Sequence, residues 1–179
     1  MRWNGAALDF RPYFRYDELN PVYGRIKKGE KMRISSKGRY GLAAMICMAE
    51  SYGSDACITI VSLAERLGIS KIYLEQVFSL LKRAELVIAI KGAQGGYKLS
   101  RAPQEITAYE ILRALEQSLF EKTADSVSKK AESIEMAMQE KVFTALDKAV
   151  ETVLSQLDLY DLLMEAEKHR QNAGFMFYI

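Results

Sequence analysis

The chain has 179 residues, of which 49% are hydrophobic and 27% charged, and its formal net charge is +2. This composition is that of a globular protein with one or two modest cores, and it excludes a disordered chain. The sequence has no apolar run of about 18 residues that could span a bilayer and does not begin with the basic-then-apolar order of a secretory signal, so we expect no membrane partner. It has two cysteines and no CxxC motif, so a disulfide framework is not expected and we predict a cytoplasmic protein, in a compartment where thiols stay reduced.

The charge is divided unevenly along the chain. Residues 32–103 carry ten basic against five acidic residues, whereas residues 104–179 carry eight basic against fourteen acidic. A basic module of this size suits a polyanion such as double-stranded DNA, and an acidic module does not.

Residues 1–31 differ in composition from the rest of the chain. They hold two of the three prolines and the only tryptophan, and no helical or strand period persists in them. Residues 28–31 can be encoded by a purine-rich stretch that resembles a bacterial ribosome-binding site ahead of Met32. We therefore expect residues 1–31 to be an upstream-read, non-native extension. The alternative is a genuine arm that touches DNA or a partner.

A regular helical pattern begins at Ser35. The apolar period and the serine caps predict a first helix from Ser35, a second helix over 61–67, and a third helix from Ser70 to about Ala84. The second and third helices are joined by a short turn at Gly68, and this arrangement is the signature of a helix-turn-helix.

A hairpin follows the third helix. Two short apolar strands, 86–90 and 97–99, flank a glycine-rich turn. Such a hairpin on its own is usually a solvated turn. After a helix-turn-helix in a basic module, it instead predicts a wing, in which Lys91 meets phosphates or enters a minor groove while Gly95 and Gly96 leave room for the duplex.

The acidic half of the chain contains a long amphipathic pattern. Apolar residues recur at three- and four-residue steps from Ile134 to Leu157, which predicts a helix about 36 Å long. We expect this helix to pair with its copy in a homodimer; the alternative is that it folds back on its own domain. The predicted fold class is mainly α with a small β-hairpin wing, a winged helix-turn-helix plus a long dimerisation helix. The predicted divisions are 32–116, the DNA-binding domain; 117–133, a loop; 134–165, the dimerisation helix and a C-terminal helix; and 166–179, an apolar tail.

Three motifs carry a family resemblance. MRISSKGRYGLAAM, ISKIYLEQVFSLLKRAELV and KGAQGGYKLSR, in this order between Met32 and about Leu162, resemble the bacterial winged-helix regulators of the IscR, NsrR and CymR family. The resemblance implies a homodimer that places each recognition helix in a major groove and each wing in the neighbouring minor groove. The DNA contacts that it implies, position by position, are Ser36, Lys37, Arg39, Lys71, Tyr73, Glu75, Gln76, Lys91 and Gly96.

Physical chemistry divides these contacts by role. Lysine and arginine supply the salt-dependent phosphate contacts, whereas Glu75 can accept a hydrogen bond from a cytosine amino group and Gln76 can pair with adenine. Two alternatives stay open, because Tyr73 is as well suited to packing as to touching DNA, and Glu75 has Lys71 and Lys82 within reach for a salt bridge on the helix surface.

The cysteines lead to a prediction about cofactors. Many members of the family bind an iron–sulfur cluster through three cysteines in the loop before the dimerisation helix, but residues 118–133 contain none. We therefore expect no iron–sulfur cluster and no other cofactor or metal. Cys47 and Cys57 are expected to be small apolar fillers rather than sensors.

The chain ends in the apolar sequence FMFYI. Without cluster cysteines, the resemblance is to the CymR branch of the family, which implies a partnership with O-acetylserine sulfhydrylase, the cysteine synthase. That enzyme captures partner tails that end in a free isoleucine carboxylate, so Tyr178 and Ile179 are the predicted partner-binding residues. The alternative is that the tail packs in the dimer core.

Two functions follow from these features. The first is a dimeric, sequence-specific repressor of cysteine and sulfur metabolism genes that acts with O-acetylserine sulfhydrylase. The second is an adaptor whose C-terminal tail docks in and inhibits a partner enzyme. An enzyme is not expected, because the sequence shows no metal-ligand cluster, phosphate loop or Ser/His/Asp set.

Overall fold

The computed structural model describes residues 34–54, 56–92, 95–121, 127 and 131–175, with side chains described as far as residue 172. The predictions for residues 1–31 and for Tyr178 and Ile179 therefore lie outside the described residues.

The described chain is mostly helical with one antiparallel hairpin, so the predicted fold class is confirmed. None of its helices has the length and apolar character that a membrane-spanning segment requires. In chain order the elements are α1 Ser36–Glu50, α2 Ile60–Leu67, α3 Lys71–Arg83, β1 Val87–Ile90, β2 Gly96–Leu99, a 3-10 turn Pro103–Glu105, α4 Ala108–Leu115, α5 Gln117–Phe120, α6 Glu132–Met138, a π-helical turn Gln139–Phe143, α7 Thr144–Ser155 and α8 Leu159–Phe175.

Side-chain caps determine where the first two helices begin. The Ser35 hydroxyl accepts a hydrogen bond from the backbone N–H of Gly38 at 3.2 Å, and the Thr59 hydroxyl accepts one from Ser62 at 3.0 Å. Each cap satisfies a backbone donor that the first turn of a helix leaves without a partner. Gly68 ends α2 with φ of +64°, a left-handed conformation that glycine adopts at little cost.

One hydrophobic core lies between α1, α3 and α4 and includes the first residue of α8. Each large apolar side chain that is buried in this core stabilises the fold by roughly 1.5–3 kcal/mol, so burial determines which side of each helix faces inward. The largest fully buried side chains of this core are Met45, Leu63, Leu74, Val77, Phe78, Leu81, Leu86, Val87, Ile106, Ile111, Leu115 and Leu159.

The wing is attached to this core from two sides. β1 pairs with β2 in the register Val87↔Leu99 to Ile90↔Gly96, and Ile58, just before α2, forms two backbone hydrogen bonds of 3.0 and 2.8 Å with Tyr97. The Tyr97 ring also lies 4.7 Å from that of the buried Phe78 on α3, centroid to centroid. The hairpin is therefore joined directly to the third helix.

The predicted long helix is present as α6, the π-helical turn and α7 in succession. None of the side chains that the structure describes in α7 is buried. Val142 in the π-helical turn and Leu146 and Val153 in α7 are apolar and exposed. Backbone hydrogen bonds of 2.8 Å connect Leu157 and Leu159, just beyond α7, to the residues at the start of α4, so this helix is tied to the domain at its C-terminal end.

The C-terminal helix is longer than predicted. α8 runs to Phe175, past the boundary at 165, because the charged stretch after that residue continues the helix. A salt bridge of 3.2 Å between Lys168 and Glu165, three residues apart, supports this added turn, although such surface pairs contribute only about 0.2–0.5 kcal/mol.

Candidate nucleic-acid interface

Helix α3 presents two different faces. Its buried residues Leu74, Val77, Phe78 and Leu81 recur at three- and four-residue steps and point into the core. The intervening positions form the outward face, which we define as Ile72, Glu75, Gln76 and Ser79, all exposed. Because the helical period separates the two sets, burial of the first set orients the second toward the surface.

Lysine 37 of α1 lies beside the outward face of α3. A shallow groove is lined by Lys37 together with Glu75, Gln76 and other residues of α3. On the same turn of α1, the guanidinium of Arg39 donates a hydrogen bond of 3.2 Å to the hydroxyl of Ser36. The fold thus brings a cation from the first helix next to the two side chains that were predicted to contact bases.

Two of the predicted contacts also interact within the protein. Lys71 lies 3.7 Å from Glu75 in an exposed pair one turn apart, and such pairs contribute only about 0–1 kcal/mol. Tyr73 is half-buried, and its ring meets that of Tyr40 edge to face with centroids 5.3 Å apart. The Tyr73 ring therefore packs the first turn of α3 against α1, whereas Glu75 can exchange its weak lysine partner for another group.

The wing glycines have a reason internal to the fold. A Cβ at Gly96 would lie 2.6 Å from the carbonyl oxygen of Ile58, and one at Gly95 would collide with the carbonyl oxygen of Ile90. Both neighbours are backbone atoms that cannot move aside without breaking the hairpin. Lys91 is exposed directly after β1, where its ammonium group is free to meet solvent or a polyanion.

Ile72 is not among the predicted DNA contacts, although this residue lies on the outward face. It is 70% exposed, the highest value among the large hydrophobic residues that the structure describes. The available signal was its spacing, because Ile72 precedes Glu75 and Gln76 by three and four residues and shares their side of the helix.

A second charged cluster lies away from the outward face, and we call it the Glu50 cluster. The carboxylate of Glu50, at the end of α1, accepts hydrogen bonds from Arg66 of α2 and, at 2.7 Å, from Arg170 of α8. The bond to Glu50 raises the pKa of Arg66 above its ordinary value. The cluster therefore joins three helices through one carboxylate.

The comparisons with known proteins agree on a family. The family model Rrf2, described as an iron-dependent transcriptional regulator, matches residues 34–165. The HTH-type transcriptional regulator CymR of Bacillus subtilis (strain 168) is 38% identical over 148 residues, which cover 83% of this chain and all of that protein.

Solved structures give the same result. The structure of CymR (YrzC), the global cysteine regulator of B. subtilis, matches with a TM-score of 0.60 and 34% identity over 75% of this chain and 98% of that one. The structure of T. potens IscR matches with a TM-score of 0.59 and 34% identity over 82% of this chain and 97% of that one. The resemblance stated from the three motifs is therefore confirmed.

These comparisons overturn one prediction. The prediction of no iron–sulfur cluster and no other cofactor is wrong. The family that matches this chain is described as iron-dependent, and an IscR protein is among the matching structures. The absence of cysteines in residues 118–133 is a local feature of one loop and does not decide how a whole family uses iron.

The described residues do not fit a cysteine-held iron site. Such a site needs deprotonated thiolates, usually four, and the chain has only Cys47 and Cys57. Cys47 is buried in α1, and burial raises the pKa of its thiol, with the Arg66 guanidinium opposing that rise. Within the described ranges no three His, Cys, Asp or Glu side chains are grouped as metal ligands.

The fold, the position of the wing beside α3 and the matches to the family model, to a sequence relative and to solved structures all agree. Because the family model covers well over half of the chain, the chain belongs to the Rrf2 family of winged-helix, DNA-binding transcriptional regulators.

Proposed function

We propose that this chain is a dimeric, sequence-specific repressor of cysteine and sulfur metabolism genes, active in the cytoplasm and without catalytic activity. The observation that carries the proposal is the groove in which Lys37 of α1 lies beside Glu75 and Gln76 of α3. A cation for phosphate next to two hydrogen-bonding side chains on a recognition helix is the combination that reads the major groove. The cysteine-related role is supported by the likeness to the global cysteine regulator of B. subtilis.

The proposed contacts fall into two classes. Lys37, Arg39, Lys71 and Lys91 bind phosphates, and the Ser36 hydroxyl adds a neutral contact at the start of α1. Glu75 and Gln76 read base edges, with Glu75 leaving its weak pair with Lys71 to accept from a cytosine amino group. Tyr73 acts mainly by holding the first turn of α3 against Tyr40. In the wing, Gly95 and Gly96 keep the hairpin in the shape that presents Lys91 to the minor groove.

Dimerisation is proposed from the long helix. Val142, Leu146, Val153 and Leu157 are spaced by whole helical turns and are exposed in the chain on its own. An apolar stripe along α7, in which no described side chain is buried, is typical of a helix that pairs with its copy. In this proposal residues 32–116 bind DNA and residues 134–165 hold two such domains at the spacing of two half-sites.

The partner enzyme is proposed to be O-acetylserine sulfhydrylase. This part of the proposal depends on Tyr178 and Ile179 at the end of the chain and on the likeness to CymR. A terminal isoleucine offers an apolar side chain and a carboxylate together, which an enzyme site for amino-acid substrates can hold.

The proposal is tested first by DNA binding. The full chain is used to select its operator from random duplexes, and affinity is then measured by mobility shift at several salt concentrations. Lys37→Gln should flatten the slope of log affinity against log salt by about 1.8, because the dimer loses one phosphate contact, worth about 0.9, in each half-site. Glu75→Ala should relax the base preference at one position of each half-site. The matched control is Lys148→Gln, an exposed lysine on α7, which should change neither quantity.

The dimer and the partner are tested separately. Leu146→Glu together with Val153→Glu should convert the dimer to a monomer in analytical ultracentrifugation and weaken operator binding, whereas Lys148→Gln should do neither. Adding O-acetylserine sulfhydrylase should change the mobility shift of the full chain but not of a chain lacking Ile179. If the full chain binds the enzyme but shows no salt-dependent binding to any duplex, the adaptor function replaces the repressor function.

A further inference from the structure

Packing within the domain does not explain why an apolar residue, Ile72, stands at this exposed position. This residue is 70% exposed, although a buried isoleucine would stabilise the fold by roughly 1.5–3 kcal/mol. It is the second residue of α3, and the N-terminal residues of a recognition helix are the ones that reach base edges.

The neighbours of Ile72 are polar or charged. Glu75 and Gln76 follow it at three and four residues, so their Cβ atoms lie about 5–6 Å away on the same face, and Lys37 lines the same groove. Lys71, which precedes it, pairs with Glu75. An apolar group surrounded by two lysines, a carboxylate and an amide fits a surface that is mostly polar and anionic with one apolar point.

The major groove of DNA is such a surface. Its base edges offer hydrogen-bond donors and acceptors, and its one apolar group is the 5-methyl of thymine. We infer that Ile72 reads the 5-methyl group of one thymine in each operator half-site, adjacent to the bases read by Glu75 and Gln76. The inference rests on the proposed function and deepens it, because it adds a specificity-determining residue to the same interface.

A protein partner is less well supported at this position. The other exposed isoleucines near the DNA-binding motif, Ile88 and Ile90, lie on β1, so Ile72 does not continue an apolar patch on its own helix. Interfaces between proteins deplete charge at their centres, whereas the immediate surroundings of Ile72 are charged.

The test removes the methyl group from the DNA and the side chain from the protein. An operator is selected with the full chain, and each thymine is replaced in turn by deoxyuridine, which lacks only the 5-methyl. At one position in each half-site, the replacement should weaken binding of the unmodified chain about fourfold, the equivalent of about 0.8 kcal/mol for one methyl group removed from contact. Replacing both symmetric positions should weaken binding roughly 15-fold if the half-sites are independent.

The variant Ile72→Ala should bind the thymine and deoxyuridine duplexes with equal affinity at that position. Ile88→Ala is the matched control: it also removes an exposed isoleucine, and it should keep the fourfold preference for thymine. Because Ile72 is exposed, Ile72→Ala should melt within 2 °C of the unmodified chain, for surface changes are usually within about 0.5 kcal/mol.

The outcomes separate the inference from the function on which it rests. If a site is selected but no thymine shows the effect, or if Ile72→Ala keeps the full preference for thymine, the inference is overturned while the repressor stands. If the chain selects no site at all, the proposed function itself fails and the inference falls with it.

Discussion

Replacing Glu50 by glutamine tests whether one carboxylate holds α2 and α8 onto the end of α1. The Glu50 side chain is only 17% exposed, and its oxygens accept hydrogen bonds from Arg66 and Arg170. The variant keeps the size of the side chain and removes its negative charge. Both guanidinium groups then face a neutral amide that can accept fewer hydrogen bonds.

The expected magnitude follows from the exposure of the partners. A hydrogen bond to a charged group contributes about 1.5–3 kcal/mol when it is well shielded from water, but exposed pairs contribute only about 0–1 kcal/mol. Arg66 and Arg170 are each about half exposed, so each bond to Glu50 should contribute about 1 kcal/mol, between these two ranges. The oxygen that glutamine retains keeps part of this contribution. Glu50→Gln should lower the free energy of unfolding by about 1.5 kcal/mol and the Tm by about 5 °C.

Urea unfolding of the full chain, followed by circular dichroism, measures this change. The matched control is Glu165→Gln, which removes a carboxylate from exposed contacts with Lys168 and His169 and should shift stability by less than about 1 kcal/mol. A double-mutant cycle with Arg170→Gln should give a non-additive result, because the two groups share one contact. The reasoning is wrong if Glu50→Gln is no more destabilising than the control, or if the cycle is additive.

Two further predictions concern α4 and the wing. Burial raises the pKa of Glu110, but hydrogen bonds from the Thr107 backbone and the Arg101 guanidinium lower it by more, so that the pKa of Glu110 in the folded chain lies below its ordinary value. A carboxyl group with a depressed pKa stabilises the fold above its unfolded pKa, and this stabilisation is lost as the pH falls through the folded pKa. Glu110→Gln should therefore lower the urea midpoint at pH 7, and the difference in midpoint between the variant and the unmodified chain should narrow below pH 4.5. A difference in midpoint that does not vary with pH would contradict this. Gly96→Ala should lower the Tm because its Cβ would meet the Ile58 carbonyl, whereas an unchanged Tm with lost DNA binding would mean that the glycine serves the duplex instead.

Local signals were enough to predict the helix-turn-helix. The predicted second helix, 61–67, differs from Ile60–Leu67 by one residue because the cap is Thr59, and the third helix begins and ends within a residue of its prediction. Caps, a left-handed glycine and the apolar period are all encoded within a few residues of the feature that they determine. The same is true of the hairpin, in which the glycines lie at the turn.

Contacts between distant parts of the chain could not be predicted in this way. The bond between Arg170 and Glu50 joins residues 120 positions apart, and the Phe78 and Tyr97 rings meet only because α3 and β2 pack on one core. The sequence named Lys37 and Gln76 as DNA contacts without indicating that they line one groove. Ile72 was missed because an apolar residue at the start of a helix suggests packing until its exposure is known.

Helix α1 contributes to both the proposed interface and the Glu50 cluster. Lys37 stands in its first turn and Glu50 is its last residue, so about 20 Å of regular helix separates the two sites. Between them, a Cβ at Gly41 would collide with the side chain of Leu115 on α4, which shows how closely the two helices approach. The close approach at Gly41 fixes α1 against α4 between the two sites, and the bond from Glu50 to Arg66 joins the end of α1 directly to α2, the first helix of the helix-turn-helix.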